Sequence, residues 1–466
     1  MNLDMIIEYA SFHIITIITF FLAFFTIFHM LYSRKKPSHM IAWTVVIIAI
    51  PYIGIVIYLI FNGRKLAKNV TKKQKVELQK VYEIDKGFNS QIEKFLRSSK
   101  IAGATEKNEF YLCENSVESY EKILFFVEGA KSSIYISTYI FAHDEITKKL
   151  IKILTKKVKE GVSVKLLFDS FGSFSLELFP KPLQEFKDAG GEYHFFMSLL
   201  KHPIKNRFNY RNHRKMIIID KQTLISGGIN ISKDYLSFNS KNSAWMDLTF
   251  IINGAAAFHY YEIFEYDWEF QTKQKLKKTP ENYASIKKQS IIQVVPSGPD
   301  VDNDALYESI VYGVYLAKKR VWIMTPYFVP DSSLMEALMI AKHRGIEVKI
   351  ILPKTSDQAL ADISRSGFLR ELQKEGVEIL LYKTKMLHAK AMIIDEEVAL
   401  IGSSNFDARS FFYNFEVMSF LYTKDDILKV QRWIETLFDE CDNGLKEASR
   451  VRVVFENFFK MFSPAL

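Results

Sequence analysis

Cysteine is nearly absent from this 466-residue sequence: there are two, Cys113 and Cys441. They lie far apart, and neither has a Cys or His at metal-ligand spacing. That excludes a disulfide-stapled scaffold, gives no zinc site, and leaves two unpaired thiols in a reducing compartment as the expectation. The chain also lacks the composition of a disordered protein. Nearly half of it is apolar and a quarter charged, so large cores can be buried. The length allows roughly two or three domains. Negative charge is in deficit: 53 acidic against 62 basic residues give a formal net charge of +9. Such a balance points to anionic partners, either nucleic acid or a membrane surface.

Full charges are missing altogether from two runs near the start. Ala10 to Tyr32 reads ASFHIITIITFFLAFFTIFHMLY, and Ile41 to Phe61 reads IAWTVVIIAIPYIGIVIYLIF. Each reaches the roughly 20 residues that cross a hydrocarbon core as a helix. Neither shows the polar face of a soluble helix. Two transmembrane helices, over 10–32 and 41–61, are therefore expected within an N-terminal anchor spanning 1–65. A cleavable signal peptide does not fit, because Asp4 and Glu8 stand where a positive segment belongs. Two spans return the chain to its starting side. The cluster Arg64, Lys65, Lys68, Lys72, Lys73 and Lys75 argues for a cytoplasmic catalytic portion in a multi-pass cell-membrane protein. Arg34, Lys35 and Lys36 between the runs pull the other way and, with Pro51, leave room for a re-entrant second segment.

Beyond residue 100, short β-branched runs alternate with longer amphipathic segments, the pattern of an α/β fold. The body repeats itself. IYISTYIFAHD from Ile134 matches VWIMTPYFVPD from Val321, and GVSVKLLFD from Gly161 matches GIEVKIILP from Gly345. NHRKMIIID, ending at Asp220, matches LHAKAMIID, ending at Asp395. The offset falls from 187 residues (134 to 321) to 175 (213 to 388), as unequal loops would make it. A tandem duplication is expected. A basic linker over 66–108 leads to domains over 109–280 and 290–466, with a boundary segment near 275–290.

Each half carries a His-x-Lys-x4-Asp motif: His213, Lys215 and Asp220 within 208–235, and His388, Lys390 and Asp395 within 383–410. Both run on seven residues to a Gly (Gly227, Gly402) and three more to an Asn (Asn230, Asn405). One copy alone would be weak. Two copies at matching places with matching tails are strong. In a strand, residues i and i+2 share a face, so His and Lys project together. Asp has the opposite parity, which gives it a supporting role at the strand end.

A phosphodiester is anionic and resists nucleophiles. Lys215 and Lys390, with the amides of Asn230 and Asn405, can hold phosphate oxygens and stabilise the transition state. A neutral imidazole can attack phosphorus while the other, protonated, serves the leaving and incoming alcohols. This chemistry calls for no metal and no cofactor. Each imidazole needs an orienting carboxylate. Asp247, 34 residues after His213, and Glu416, 28 after His388, open strand-like runs at matching places and are assigned that role.

These paired motifs resemble the phospholipase D superfamily, and the wider pattern resembles bacterial cardiolipin synthases. The characteristic stretches are NYRNHRK, QVVPSGPD at 293–300, TPYFVPD at 325–331 and IGSSNFDARSFFYNFEV at 401–417, with Gly227-Gly228 facing Gly402-Ser403. The resemblance covers nearly the whole chain. It implies two tandem phospholipase D-type α/β sandwich domains forming one pseudo-two-fold site. It also implies transfer of a phosphatidyl group from one phosphatidylglycerol to another, giving cardiolipin and glycerol. In related enzymes the first motif's histidine is the nucleophile, which points to His213, with His388 as general acid and base. The motifs' near symmetry leaves that order open. Phosphatidylglycerol and anionic lipids are thus the expected partners, and nucleic acid is not. The rivals are a hydrolase or another phosphatidyltransferase on the same scaffold, a nuclease (disfavoured by the membrane runs), and a non-catalytic scaffold (disfavoured by two intact motifs). Phe455, Phe458, Phe459 and Phe462, with Arg450, Arg452 and Lys460, read equally as an interfacial helix or as one packed on the body.

Overall fold

The computed structural model describes residues 3–32, 37–61, 75–84, 88–201, 210–238, 244–276, 283, 286 and 290–461. The basic residues 34–36, 64, 65, 68, 72 and 73, Phe462, and most of the 275–290 boundary lie outside them.

The first apolar run forms α1 (Leu3–Tyr32). Its stretch His13–Tyr32 is long and apolar enough to cross a membrane, and it is the one such helix among the described residues. The expectation of a second spanning helix is corrected. That run splits into α2 (Pro37–Ala49) and α3 (Pro51–Phe61). Pro51 has no N–H to continue the helix and its ring crowds the preceding turn. At 1.5 Å per residue the pieces are about 20 and 16 Å long, short of a roughly 30 Å core. They also fold back on each other. A Cβ on Gly54 would lie 2.9 Å from the Val46 carbonyl oxygen, whereas residues eight apart in a straight helix are about 12 Å apart. Met30, Ile47, Ile55 and Tyr58 close this hairpin against α1, and His29 Nδ1 lies 2.8 Å from the Tyr58 hydroxyl.

The body contains two mixed sheets of one design. The first comprises β1 (Asn108–Leu112), β2 (Ser133–Thr138), β3 (Ser163–Asp169), β4 (Glu192–Phe196), β5 (Met216–Ile219), β6 (Thr223–Gly227) and β7 (Thr249–Gly254), in the order β1-β7-β6-β5-β2-β3-β4. Strands β2, β3 and β4 are parallel, while β5, β6, β7 and β1 add antiparallel neighbours. The second half continues with β8 (Ile292–Ser297), β9 (Arg320–Met324), β10 (Phe328–Val329), β11 (Glu347–Pro353), β12 (Glu378–Tyr382), β13 (Ala391–Ile394), β14 (Val398–Gly402), β15 (Phe406–Asp407), β16 (Glu416–Leu421) and β17 (Cys441–Asn443). Its sheet runs β17-β12-β11-β9-β13-β14-β16-β8, and β10 pairs with β15 alone. Strands β9, β11 and β12 are parallel, and the rest of this sheet is antiparallel.

One core joins the halves. It is built from the inner faces of both sheets and the helix Ala255–Thr272, which is buried on every side from Ala255 to Trp268. Separate outer cores lie under the flanking helices of each sheet. The stretch 88–105, expected as linker, contains the helix Gln91–Ser98, whose Ile92 and Leu96 are buried in the outer core of the second half. At the C-terminus, the helix Arg450–Met461 packs on the body through Glu456, held by Arg370 Nε at 2.7 Å, yet leaves Val451, Val454, Phe455 and Phe458 exposed.

Candidate active site

Each motif histidine sits where its chain leaves one half and touches the other. The His213 N–H donates to the Phe415 carbonyl at 2.9 Å, and the Phe415 N–H donates to Arg211 at 2.9 Å. Correspondingly, His388 N–H donates to Met246 at 2.7 Å and Met246 N–H to Met386 at 2.8 Å. Phe415 and Met246 each precede one of the two carboxylates. This backbone stitching therefore delivers each carboxylate to the opposite half. His213 Nδ1 lies 2.9 and 3.1 Å from the Glu416 oxygens, and His388 Nδ1 lies 2.6 Å from Asp247 Oδ2. The sequence picked both carboxylates by their place in each repeat. Only the structure reveals that the pairs cross.

With Nδ1–H given to a carboxylate, the lone pair stands on Nε2. Burial pushes His213 down to about 4 and His388 to about 3, and the adjacent lysines push the same way against the carboxylates. Both rings are neutral near pH 7. Burial also lowers Lys215 to about 7 and Lys390 to about 8, with Glu416 and Asp247 pulling upward. Burial would raise Glu416, but His213 and Lys215 hold it below its ordinary value.

Each lysine lies two residues after its histidine, immediately before β5 or β13. Lys215 Nζ donates to the His213 carbonyl at 2.9 Å, and Lys390 Nζ donates to the His388 carbonyl. Lys390 Nζ also lies 2.8 and 3.0 Å from the two ring nitrogens of His388. Asn230 accepts from Ile140 N–H at 3.2 Å, and the ring of Tyr235 stands 5.0 Å from His388. The amide oxygen of Asn405 is buried with no hydrogen-bond partner among the described residues.

The structure does not bring Asp220 or Asp395 to the imidazoles. Asp220 takes the backbone N–H groups of Lys131, Ser132 and Ser133 at 2.9, 2.8 and 2.8 Å, at the far end of β5. Asp395 likewise takes those of Lys318, Lys319 and Arg320 at 2.8, 2.7 and 2.8 Å. Both residues adopt positive φ, 51° and 53°, a conformation Asp tolerates better than most residues. They tie a turn to the start of a strand.

Sequence reasoning missed several neighbours. Tyr139 packs edge-on to His213 at 5.1 Å, and Trp245 flanks His388 at 5.5 Å. Ser403 Oγ donates to Glu416 Oε2 at 2.5 Å. Arg214, between His213 and Lys215, is fully buried and binds Asp300 through two nitrogens at 3.0 Å each and Asp267 at 2.8 Å. Its Nε also donates to the Glu416 carbonyl at 3.2 Å, bracing the first motif against the second half. Burial pushes Asp407 up to about 6, and its carboxylate caps the helix Ala408–Phe412. Asp300 and Asp407 lie within the stretches QVVPSGPD and SSNFDARS, so a signal for both was present.

A duplicated α/β body with two His-Lys pairs and crossed carboxylates at its seam defines a phospholipase D-like protein. Comparison with known families agrees. The family described as "Cardiolipin synthase, PLD-like domain" matches residues 123–268 and 315–439, and "Phospholipase_D-nuclease N-terminal" matches 17–62. The chain is 33% identical to a cardiolipin synthase of Geobacillus sp., covering 93% of this chain and 90% of the relative. It is 31% identical to the major cardiolipin synthase of Bacillus subtilis, over 88% of each. The solved phosphatidylserine synthase of Haemophilus influenzae shares the fold, with a TM-score of 0.61 at 14% identity, covering 80% of this chain and 97% of that one. The chain belongs to the cardiolipin synthase family, and it is a phosphatidyltransferase.

Proposed function

We propose that this enzyme joins two phosphatidylglycerol molecules into cardiolipin and glycerol through a phosphohistidine. One observation carries the reading: two buried, neutral imidazoles from opposite halves, each held at Nδ1 by a carboxylate of the other half. His213 Nε2 attacks the phosphorus of the first lipid, and the bond to the glycerol oxygen breaks as that oxygen takes a proton from His388. The diester's negative charge offsets the neighbouring ammonium groups and raises His388, which lets it carry that proton. The second lipid's glycerol hydroxyl then gives its proton to His388 and attacks phosphorus, and the P–N bond to His213 breaks. Lys215, Lys390, Asn230 and Asn405 hold the non-bridging oxygens. Asp247 and Glu416 fix the ring tautomers. Asp220 and Asp395 serve the fold. The choice of His213 as nucleophile is supported by Lys390, which crowds both nitrogens of His388, while no hydrogen bond reaches His213 Nε2 among the described residues.

The anchor crosses the bilayer once through α1, with the α2–α3 hairpin dipping into one leaflet. The body lies on the cytoplasmic side, as the basic residues after α3 favour.

The test gives purified full-length enzyme vesicles of labelled phosphatidylglycerol. One glycerol released per cardiolipin formed supports the reading. Phosphatidic acid as the main product replaces it with a hydrolase.

A further inference from the structure

The structure assigns a membrane-docking surface to the pole of the body that holds the site. We propose that the segments following β3 and β4, led by Phe171, Phe174, Leu178, Phe179 and Leu200, insert into an anionic phospholipid bilayer. This inference deepens the function proposed above and rests on it for the benefit of docking, though not for its detection.

Strand direction defines the pole. Thr138 at the end of β2 is level with Phe168 near the end of β3, and Ser137 pairs with Met216, which follows His213 closely. The site therefore lies beyond the C-terminal ends of the parallel strands. From those same ends emerge residues 170–180 after β3 and 197–201 after β4. Phe179 is 67% exposed, Phe171 53%, Leu200 50%, Leu178 46% and Phe174 40%. In the second half, Leu360, in the segment after the equivalent strand β11, is also exposed. A water-facing surface gains nothing from five large apolar side chains on two adjoining segments.

Local bonding keeps these side chains outward. The one acid of the helix Phe174–Leu178, Glu177, turns inward to accept from Ser170 Oγ and Ser198 Oγ. Ser170 Oγ also accepts from Leu199 N–H at 2.9 Å, so the two segments form one unit. That unit is bolted to the site. Asp169 accepts from Phe171 N–H at 2.8 Å with one oxygen and from Asn212 N–H, next to His213, at 2.8 Å with the other. A Cβ on Gly172 would lie 2.3 Å from the carbonyl oxygen of Tyr139, the residue whose ring touches His213. Exposed Lys181 and Lys201 flank the apolar set and suit anionic headgroups.

The occupant is lipid because the reaction needs it here. His213 and His388 are 8% and 4% exposed. A diacyl substrate must present its headgroup to them without drawing its chains through water, which costs about 0.8 kcal/mol per CH2 group. An apolar rim seated in the bilayer gives the headgroup that path.

The experiment uses full-length protein in phosphatidylglycerol–phosphatidylcholine vesicles. Phe179→Cys, Leu200→Cys and Lys156→Cys are each made with Cys441→Ser and labelled with an environment-sensitive fluorophore. Lys156 lies in the last turn of the helix that leads into β3, at the edge from which the seven residues of β3 run about 23 Å to the site pole. Nitroxide-bearing lipids should roughly halve the emission at 179 and 200 and leave 156 unchanged. Phe174→Ser/Phe179→Ser should lower turnover of long-chain bilayer substrate about tenfold or more, and leave turnover of a monomeric short-chain substrate intact. Unquenched labels at 179 and 200 overturn the proposal, and a blue shift without quenching would mean that a second protein copy covers the face. Equal losses on both substrates overturn it too, by making the residues supports of the fold. Quenching at 179 and 200 without any cardiolipin formation would sink the proposed reaction and leave the docking surface standing.

Discussion

His213 with Glu416 and His388 with Asp247 do the same job with different parts. Glu416 has the longer side chain, and Ser403 stands beside it as a donor at 2.5 Å. Asp247 is one methylene shorter, and the place matching Ser403 is Gly228. A Cβ there would lie 2.2 Å from Asp247 Oδ1. The Gly-Gly and Gly-Ser of the two motifs are thus matched to the carboxylates that approach them. A repeated fold has kept its imidazole geometry while exchanging the parts behind it. The difference also gives the His213 pair a hydroxyl donor that the His388 pair lacks among the described residues.

The comparison breaks most sharply at the histidines themselves. His213→Ala and His388→Ala should each cut cardiolipin formation by about 10^4-fold or more, with thermal unfolding unchanged. Acid-quenched trapping separates them. With a donor whose leaving group needs no proton, His388→Ala still forms phosphohistidine and His213→Ala forms none. The opposite result would reverse the assigned order. Next come the carboxylates. Glu416→Gln and Asp247→Asn should lose roughly 10^2- to 10^4-fold through the wrong tautomer. Restoration of rate by exogenous nucleophile in only one of the two would show which step each pair governs.

The glycine–serine contrast is smaller. Gly228→Ala must displace Asp247 and should cost more than Ser403→Ala, which removes one hydrogen bond to a buried charge, worth about 1.5–3 kcal/mol, or roughly 10- to 150-fold in rate. Equal losses would remove the explanation offered for the asymmetry. The smallest effect is in pH. His213, lowered to about 4, is neutral across the working range, so its protonation should not limit the free enzyme above about pH 5, while His388, lowered to about 3, takes up its proton as the diester binds, which adds to the fall of kcat/KM with rising pH. Lys215 and Lys390, lowered to about 7 and 8, must be charged to hold phosphate. kcat/KM should therefore fall as pH rises through that range. Lys390→Arg, which stays charged, should move the alkaline limb upward. A kcat/KM flat to pH 10 in the parent enzyme would remove the lysines from phosphate binding.

Much of the site was legible because its signals are local. His and Lys two apart on a strand share a face whatever the rest of the chain does, and the repeat marked the carboxylates by position. The motif groups Asp220 and Asp395 with the catalytic residues, but their opposite parity separates them from the His-Lys face, and they bind backbone N–H groups at the strand end. Pro51 left a re-entrant second segment open, but the length of the apolar run favoured a span, and only the folding of α3 back on α2 denies it that length. The exposed rim was equally hidden, because the spacing of Phe171, Phe174 and Phe179 does not tell an outward set from a buried one until the inward turn of Glu177 is seen.

By itself, then, the chain's order of residues determined the duplication, the two motif strands and the apolar start, all of which rest on spacing over a few residues or on matched segments. Tertiary structure alone decided which carboxylate serves which histidine. Those partners lie 203 and 141 residues apart, and no short-range rule reaches so far. The crossing follows from the stitching of Phe415 to His213 and Met246 to His388, which exists only once both sheets have closed on the shared core.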